Sequence, residues 1–460
     1  MGIKLDWQIE AENVFDRAGE DPEYRRRRRM RRIQVLLFIV GVATCVCVVA
    51  GAIWLRLYTV DNQIRQSLID TAQAETAMIR IGDFAGFIGL QRSASSDWLA
   101  IQSDRFKRYQ DLKTKYDLNL TGKVLDVAID GLRGRVLLEE IIDGVPYHTL
   151  WFYWQYGKDG WRHVPSDFTF WGDSQTITGK TSVVNYRGLD ATLATALETR
   201  VEQWWTDGCK TFMETGCEAP ALPTLTLRIV PDPSAQIKWD ENKPDTLIIP
   251  SPLTSNDRAR ADADVPQPLE EAVATKLADR LFDMASGTLK PTPSADAYWL
   301  RQNIVEWMAG AFVGRGDLTR LGFIQSLKDK YGAKALITLI HSLARDSDIS
   351  VLSQVTQQPL ESLALDWRAF FQWRLDLEKS LLKNNNQTAF IALWDTKNPQ
   401  AVPKMQARLS HPTQAIPQVQ SVAISPGPDN VPQATIQATA DGNAQILVFR
   451  MVNGTWKRAA

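Results

Sequence analysis

The chain has 460 residues, of which 44% are hydrophobic and 23% are charged, and its formal net charge is −1. These proportions are typical of a globular protein and exclude a disordered or collagen-like chain. A net charge so close to zero also argues against a large surface for polyanions, so we expect no nucleic-acid partner. The length leaves room for two to three globular domains.

The first element along the chain is an apolar segment at residues 33–58, which follows seven arginines between Arg25 and Arg32. A bilayer core about 30 Å thick requires ~20 apolar residues in a helix, and this segment supplies them. Positive charge marks the cytoplasmic side of a span, and Trp54 and Tyr58 suit the outer interface. The segment therefore predicts a single-pass membrane anchor with a cytoplasmic N-terminus and an extracytoplasmic C-terminal region. A signal peptide fits less well, because the apolar run is long and no small-residue cleavage site follows it.

Residues 1–32 form a basic arm that is too short to be an independent domain. The arginines act as a topology signal, and they are also suited to binding the anionic headgroups of the inner leaflet. An alternative role is to dock a cytoplasmic partner, for which Trp7, Ile9 and Val14 would be the anchors.

The four cysteines fall into two pairs. Cys45 and Cys47 lie inside the apolar segment, where cysteine behaves as a small apolar residue, with acylation as the alternative. Cys209 and Cys217 flank a short loop in the region predicted to be outside the membrane. An oxidising compartment permits a disulfide between them, with two free thiols as the alternative.

Residues 63–215 are predicted to form a domain that begins with a helix at 63–91. Alternating strands follow at 124–130, 135–142 and 147–156, separated by turns such as Asp143-Gly144. This alternation between tight turns indicates an antiparallel meander. The third strand has large side chains on both faces, which predicts a central strand covered on both sides.

The C-terminal segment, residues 383–460, repeats this order of motifs. Residues 390–395 correspond to 87–90, Asp441-Gly442 corresponds to Asp143-Gly144, and 453–458 corresponds to 159–162. Internal similarity over this length predicts a duplicated unit.

A helix followed by a twisted antiparallel sheet that ends in a D-G-W-[RK] hairpin resembles the nuclear transport factor two-like, or cystatin-like, cone fold. The resemblance covers residues 65–170 and, more weakly, 383–460. The family includes enzymes, ligand binders and assembly domains, so the resemblance implies no single function, and it leaves a homodimer open. Isomerase members use an acidic base facing a tyrosine, which Asp83, Tyr147 and Tyr153 would supply.

The intervening region, residues 222–382, has strands at 225–230 and 246–250 and then a series of helices, among them 318–331, 335–344 and 359–373. This order resembles the gluzincin metallopeptidases, the thermolysin- and aminopeptidase-like family. Residues 304–312 resemble the family's glutamate helix through Glu306. Residues 358–371 resemble the helix that closes such domains. At the zinc helix, Glu270 and Ala274 occupy the two histidine positions, and Glu271 occupies the general-base position.

This departure from H-E-x-x-H implies that the domain is a degenerate, inactive relative with no metal and no catalytic residues. A catalytic zinc requires three protein ligands, and alanine cannot be one of them. Without a metal, Glu271 has no activated water to deprotonate. An unrelated helical domain with solvated carboxylates is the alternative interpretation of the same residues.

The sequence therefore predicts a bacterial-type α+β protein of the cell surface, anchored by one span, without a cofactor. The predicted function is binding or scaffolding outside the membrane, with a protein or peptide partner. A cleft that has lost its metal still offers a groove for an extended peptide. The alternative is an extracytoplasmic hydrolase or isomerase whose site has no recognisable motif.

Overall fold

The computed structural model describes residues 22–213, 223–254, 258–287, 291–314, 318–412, 415–427 and 429–460. The predicted anchors Trp7, Ile9 and Val14 lie outside these ranges. The chain divides into two compact units. The first comprises residues up to 139 together with 151–165, and the second comprises 140–150 together with 166–460.

A single helix, α1 (Pro22–Ile81), dominates the N-terminal part of the chain. With 60 residues it is about 90 Å long at the usual helical rise of ~1.5 Å per residue. In the described part of the chain the large apolar side chains of residues 33–58 are exposed, and Phe38 is 73% exposed. Among the residues described, this is the one helix long and apolar enough to cross a membrane. By length and composition, this helix is compatible with a membrane anchor or a signal sequence.

The last four turns of the same helix form part of the core of the first unit. Leu68, Ala72, Glu75 and Ile79 are buried at the three-to-four spacing of one helical face. The predicted helix at 63–91 is interrupted after Ile81, because Gly82 adopts a φ of 84° that a helix cannot contain.

The remaining elements of the first unit are two helices and a meander. They are α2 (Phe84–Leu90), α3 (Ser96–Lys115), β1 (Leu118–Asp130), β2 (Arg133–Ile142), β3 (Val145–Gln155) and β4 (Trp161–Val164). The strands β1, β2 and β3 are hydrogen-bonded in this order, and β4 pairs with β3. Five successive residues of β3, 149–153, are buried, which confirms the predicted central strand. Asp143 and Gly144 have φ values of 49° and 76°, as a tight primed hairpin turn requires.

The second unit contains a mixed five-stranded sheet in the order β5-β6-β7-β9-β8. Its strands are β5 (Ser174–Thr178), β6 (Ser182–Arg187), β7 (Leu225–Val230), β8 (Lys238–Trp239) and β9 (Thr246–Pro250). The three central strands are parallel, whereas β5 and β8 are antiparallel edges. A short strand, β10 (Arg258–Arg260), pairs with residues 147–149 of β3.

Helix α4 (Ala191–Phe212) connects β6 to β7 as the crossover that parallel strands require. It packs closely against the following helices at Gly208. A Cβ atom at that position would lie 2.5 Å from Leu281 Cδ1 and 2.8 Å from Phe312 Cζ, so a larger residue requires these side chains to shift. The predicted first domain ends at residue 215, but β5, β6 and α4 belong to this second unit.

Helices complete the second unit after the sheet. They are α5 (Gln267–Ser286), α6 (Asp296–Phe312), α7 (Leu318–Ser342), α8 (Val351–Thr356), α9 (Arg368–Lys383), α10 (Gln387–Ala392) and α11 (Ala401–Ser410). A break at Gly332, with φ 85°, divides α7 between the two helices predicted there. The helix predicted at 359–373 begins instead at Arg368, after a short 3₁₀ segment at Leu360–Ser362.

A four-stranded meander ends the chain: β11 (Gln418–Pro426), β12 (Pro432–Ala440), β13 (Asn443–Val452) and β14 (Thr455–Arg458). The strands are antiparallel neighbours in chain order. Together with α9, α10 and α11 they repeat the order of α1, α2, α3 and β1–β4. The repeat therefore begins with α9, upstream of residue 383.

The two copies share individual hydrogen bonds as well as element order. Asp83 caps α2 by accepting from Gly86 N at 2.9 Å, and Asn386 caps α10 by accepting from Ala389 N at 3.2 Å.

Isolated parallel bridges join Gln91 to His163 in the first copy and Trp394 to Arg458 in the second. These matches place Glu75 and Glu378 at equivalent positions, one on each long helix, and support the predicted duplication.

Candidate functional site

The peptidase-like positions lie on two neighbouring helices, α5 and α6. Ala274 is fully buried in the core, so its side chain faces no cleft. Glu270 pairs with Arg200 Nη1 of α4 at 3.4 Å, and Glu271 is exposed and accepts from Gln267 Nε2 at 2.8 Å. Glu306 is exposed on α6. Glu270 therefore forms an ion pair between α5 and α4.

Metal chemistry requires several ligands around one point. In the described ranges, no group of three or more histidine, cysteine, aspartate or glutamate side chains is placed to hold a metal ion. The carboxylates of Glu270 and Glu271 contact Arg200 and Gln267, respectively.

The predicted disulfide joins Cys209 to Cys217. Cys209 is fully buried near the C-terminal end of α4. Cys217 lies outside the described residues, so the pairing stays a prediction. Cys45 and Cys47 are free and exposed on α1.

A buried polar cluster occupies the interior of the first unit, centred on the carboxylate of Glu75. Tyr153 OH donates to Glu75 Oε2 at 2.9 Å, and Gln91 Nε2 donates to Oε1 at 2.8 Å. His163 Nδ1 lies 2.6 Å from the same Oε1. All four side chains are buried, and Glu75 is 0% exposed. Tyr153 lies on β3, His163 lies on β4 and Gln91 follows the end of α2. The Glu75 carboxylate on α1 therefore connects four segments of the chain.

Aromatic rings enclose the imidazole in this cluster. Trp98, Trp151 and Tyr153 have ring centroids 5.5, 5.4 and 5.2 Å from that of His163. Burial, followed by the charge and hydrogen bond of Glu75, raises the pKa of Tyr153 well above its ordinary value. Tyr153 therefore remains a proton donor to the carboxylate at physiological pH.

The second copy contains the same carboxylate with a different partner. Glu378 is 2% exposed and accepts from Arg458 Nη1 at 2.8 Å, where the first copy has Glu75 and His163. Burial raises the pKa of Glu378, and the charges of Arg458, Arg408 and Arg374 act against that rise. An arginine guanidinium thus replaces a histidine imidazole at the equivalent position.

Of the isomerase-type candidates, Asp83 serves as the N-cap of α2, Tyr153 donates to Glu75, and Tyr147 lies on β3. Sequence reasoning missed Glu75, Gln91 and His163. A detectable signal existed for Glu75, because it interrupts the apolar stripe formed by Leu68, Ala72 and Ile79.

A second buried carboxylate, Asp190, precedes α4. It accepts from Ser251 Oγ at 2.5 Å and from Trp171 Nε1 at 2.9 Å. Burial raises the pKa of Asp190 to about 6, although both hydrogen bonds oppose that change. The protonated form is therefore favoured by the folded state.

Because its pKa is raised on folding, Asp190 stabilises the second unit at low pH and loses that contribution as the pH rises through about 6. We expect the free energy of unfolding to fall by about 2 kcal/mol from this group between about pH 4.5 and about pH 7.5. Denaturant unfolding of wild type and Asp190→Asn over this pH range measures the fall in the free energy of unfolding. We expect the variant to show a smaller fall than wild type. Exposed Asp232→Asn should keep the wild-type slope; equal slopes in all three proteins would contradict the assignment.

No family model, no curated protein and no solved structure matches this chain.

Proposed function

We propose that this protein is a single-pass, membrane-anchored binding or scaffolding protein whose peptidase-like domain is catalytically inactive. Its N-terminus is cytoplasmic, and both compact units lie outside the membrane. The observation that carries the proposal is the continuity of α1, whose exposed apolar residues 33–58 lead without a break into the buried face at Leu68, Ala72 and Glu75. An anchor that is also a core helix holds the first unit rigidly at the membrane, as a scaffold requires.

The arrangement of the second unit supports the peptidase-like part of the proposal. A mixed sheet with a βαβ crossover is followed by α5 and α6, on which Glu271 and Glu306 occupy the positions that the gluzincin resemblance assigns. Ala274 lacks a donor atom and is buried, and Glu270 is paired with Arg200. A gluzincin-like domain that had lost its zinc ligands would have these features, and they support this part of the proposal.

A cleft beside the edge strand β8 supports peptide binding as the activity of this unit. It has a volume of about 350 Å³ and is lined by Arg228, Ser234, Gln236 and Lys238, among others. Because β8 is at the end of the sheet order, main-chain groups on its outer side have no strand partner within that sheet. An extended peptide can pair with such an edge, and the cleft can accept its side chains.

Membrane fractionation and zinc analysis of the full chain test the proposal. We expect the protein to resist alkaline extraction from membranes, and cysteines introduced at exposed positions of the second unit to react with impermeant reagents added from outside. Purified in detergent, it should contain no stoichiometric zinc and show no chelator-sensitive cleavage of an unfolded protein, and Glu271→Gln should behave as wild type. Release by alkali would overturn the anchor, and bound zinc with cleavage that Glu271→Gln abolishes would overturn the inactive domain.

A further inference from the structure

We propose that two copies of this chain associate through a groove on the first unit, with the α1 helices side by side just outside the membrane. The inference rests on the proposed membrane anchor, because the bilayer places both copies of the groove at the same height. It adds to that proposal the surface of association, which is the groove, and the partner, which is a second copy of the chain.

The groove has a volume of about 500 Å³ and runs along α1 beside the turn between β3 and β4. On the α1 side it is lined by six residues at three-to-four spacing: Gln63, Gln66, Ser67, Asp70, Thr71 and Ala74. This spacing describes one continuous helical face. Serine, threonine and alanine are short enough to let a second helix approach closely. The groove begins about 8 Å beyond Tyr58, at ~1.5 Å per helical residue.

The equivalent face of the C-terminal copy is already covered by a helix. There, Phe370 and Arg374 occupy the positions of Ser67 and Thr71. The Phe370 ring lies 5.0 Å from that of Trp299 on α6, and Arg374 Nη1 donates to Asp296 Oδ1 at 3.3 Å. The same face of the same fold therefore packs against a helix in one copy and is open in the other.

Charge favours a second copy of the chain as the occupant. Asp70 and Arg162 both line the groove, one on α1 and the other on β4. Asp70 accepts a hydrogen bond from Gln66 Nε2 at 2.8 Å, but neither Asp70 nor Arg162 forms an ion pair with any residue that the structure describes. A two-fold axis along the membrane normal brings each Asp70 towards the Arg162 of the other copy, so the groove is complementary to itself.

Cysteine cross-linking of the full chain in native membranes tests this arrangement. In a background in which Cys45 and Cys47 are replaced by serine, Gln63→Cys and Ser67→Cys should form covalent dimers under mild oxidation. Arg65→Cys is the matched control, since Arg65 is exposed at the same height but on the opposite side of α1. We expect about tenfold less dimer from the control, which corresponds to ~1.4 kcal/mol. Equal cross-linking at Arg65 and Ser67, or no dimer at either groove position, would overturn the inference.

Charge exchange provides the second arm of the test. Asp70→Lys in the Ser67→Cys background should reduce the dimer several-fold, and adding Arg162→Glu should restore it by reversing both charges. A double variant that cross-links no better than Asp70→Lys alone would contradict the crosswise pairing. Fractionation of the same membranes separates the two proposals. Protein that is absent from the membrane pellet would contradict the membrane anchor. Protein that is anchored but shows no face-selective cross-linking would contradict only the dimer.

Discussion

Replacing Glu75 with alanine is expected to destabilise the first unit by about 3–5 kcal/mol, because three buried polar side chains lose their shared partner. Tyr153 OH, Gln91 Nε2 and His163 Nδ1 all lie within 2.9 Å of this carboxylate. Hydrogen exchange of the full chain in detergent measures the change in the first unit.

Glu139→Ala is the matched control for this experiment. Glu139 lies in the same unit and pairs with Lys123 at 2.9 Å, but the lysine side chain is 62% exposed. A solvent-exposed ion pair of this kind contributes less than ~1 kcal/mol, so the control should resemble wild type. If Glu75→Ala also lay within about 0.5 kcal/mol of wild type, the cluster would not hold the unit together.

Replacing Arg374 with methionine is the second change with a large expected effect, about 3–5 kcal/mol in the second unit. Arg374 is 2% exposed, donates to Asp296 on α6 and donates to the backbone carbonyl of Trp456 on β14. Removing it leaves the buried Asp296 without its counter-ion. Burial already raises the pKa of Asp296, and the charge of Arg374 opposes that rise.

Denaturant unfolding of the second unit measures this effect, and two further variants define its cause. Asp296→Asn combined with Arg374→Met should recover a large part of the loss, because the unpaired charge is then removed as well. Arg368→Met breaks an ion pair with Asp366 in which Arg368 is 58% exposed, and it should cost less than ~1 kcal/mol. A double variant as unstable as Arg374→Met alone would show that lost packing, rather than the unpaired carboxylate, is responsible.

Sequence patterns predicted those features that local physics dictates. Residues 33–58 are uncharged except for Arg56 and mostly apolar, and they form part of a helix long and apolar enough for a membrane. The Asp143-Gly144 and Asp441-Gly442 turns, the central position of β3 and the duplicated order of elements also follow from alternation and turn chemistry. In each case the signal lies within a few neighbouring residues, where side-chain period and backbone preference act directly.

The extent of the first domain was not predictable in this way. Residues 174–212 follow the first meander in the chain, yet β6 pairs with β7 in the second unit. A sequence pattern indicates which face of a strand is apolar, but it does not indicate which other strand will pair with it.

The sequence by itself determined a long apolar helix, a meander at each end of the following region and a pair of helices without zinc-ligating histidines. Only the tertiary structure decided that α1 carries Glu75 into the first core, that His163 meets it there and that Arg458 takes the same place beside Glu378. The physical reason is burial: a carboxylate in an apolar interior needs donors within hydrogen-bond distance, and those donors come from segments far apart in the chain.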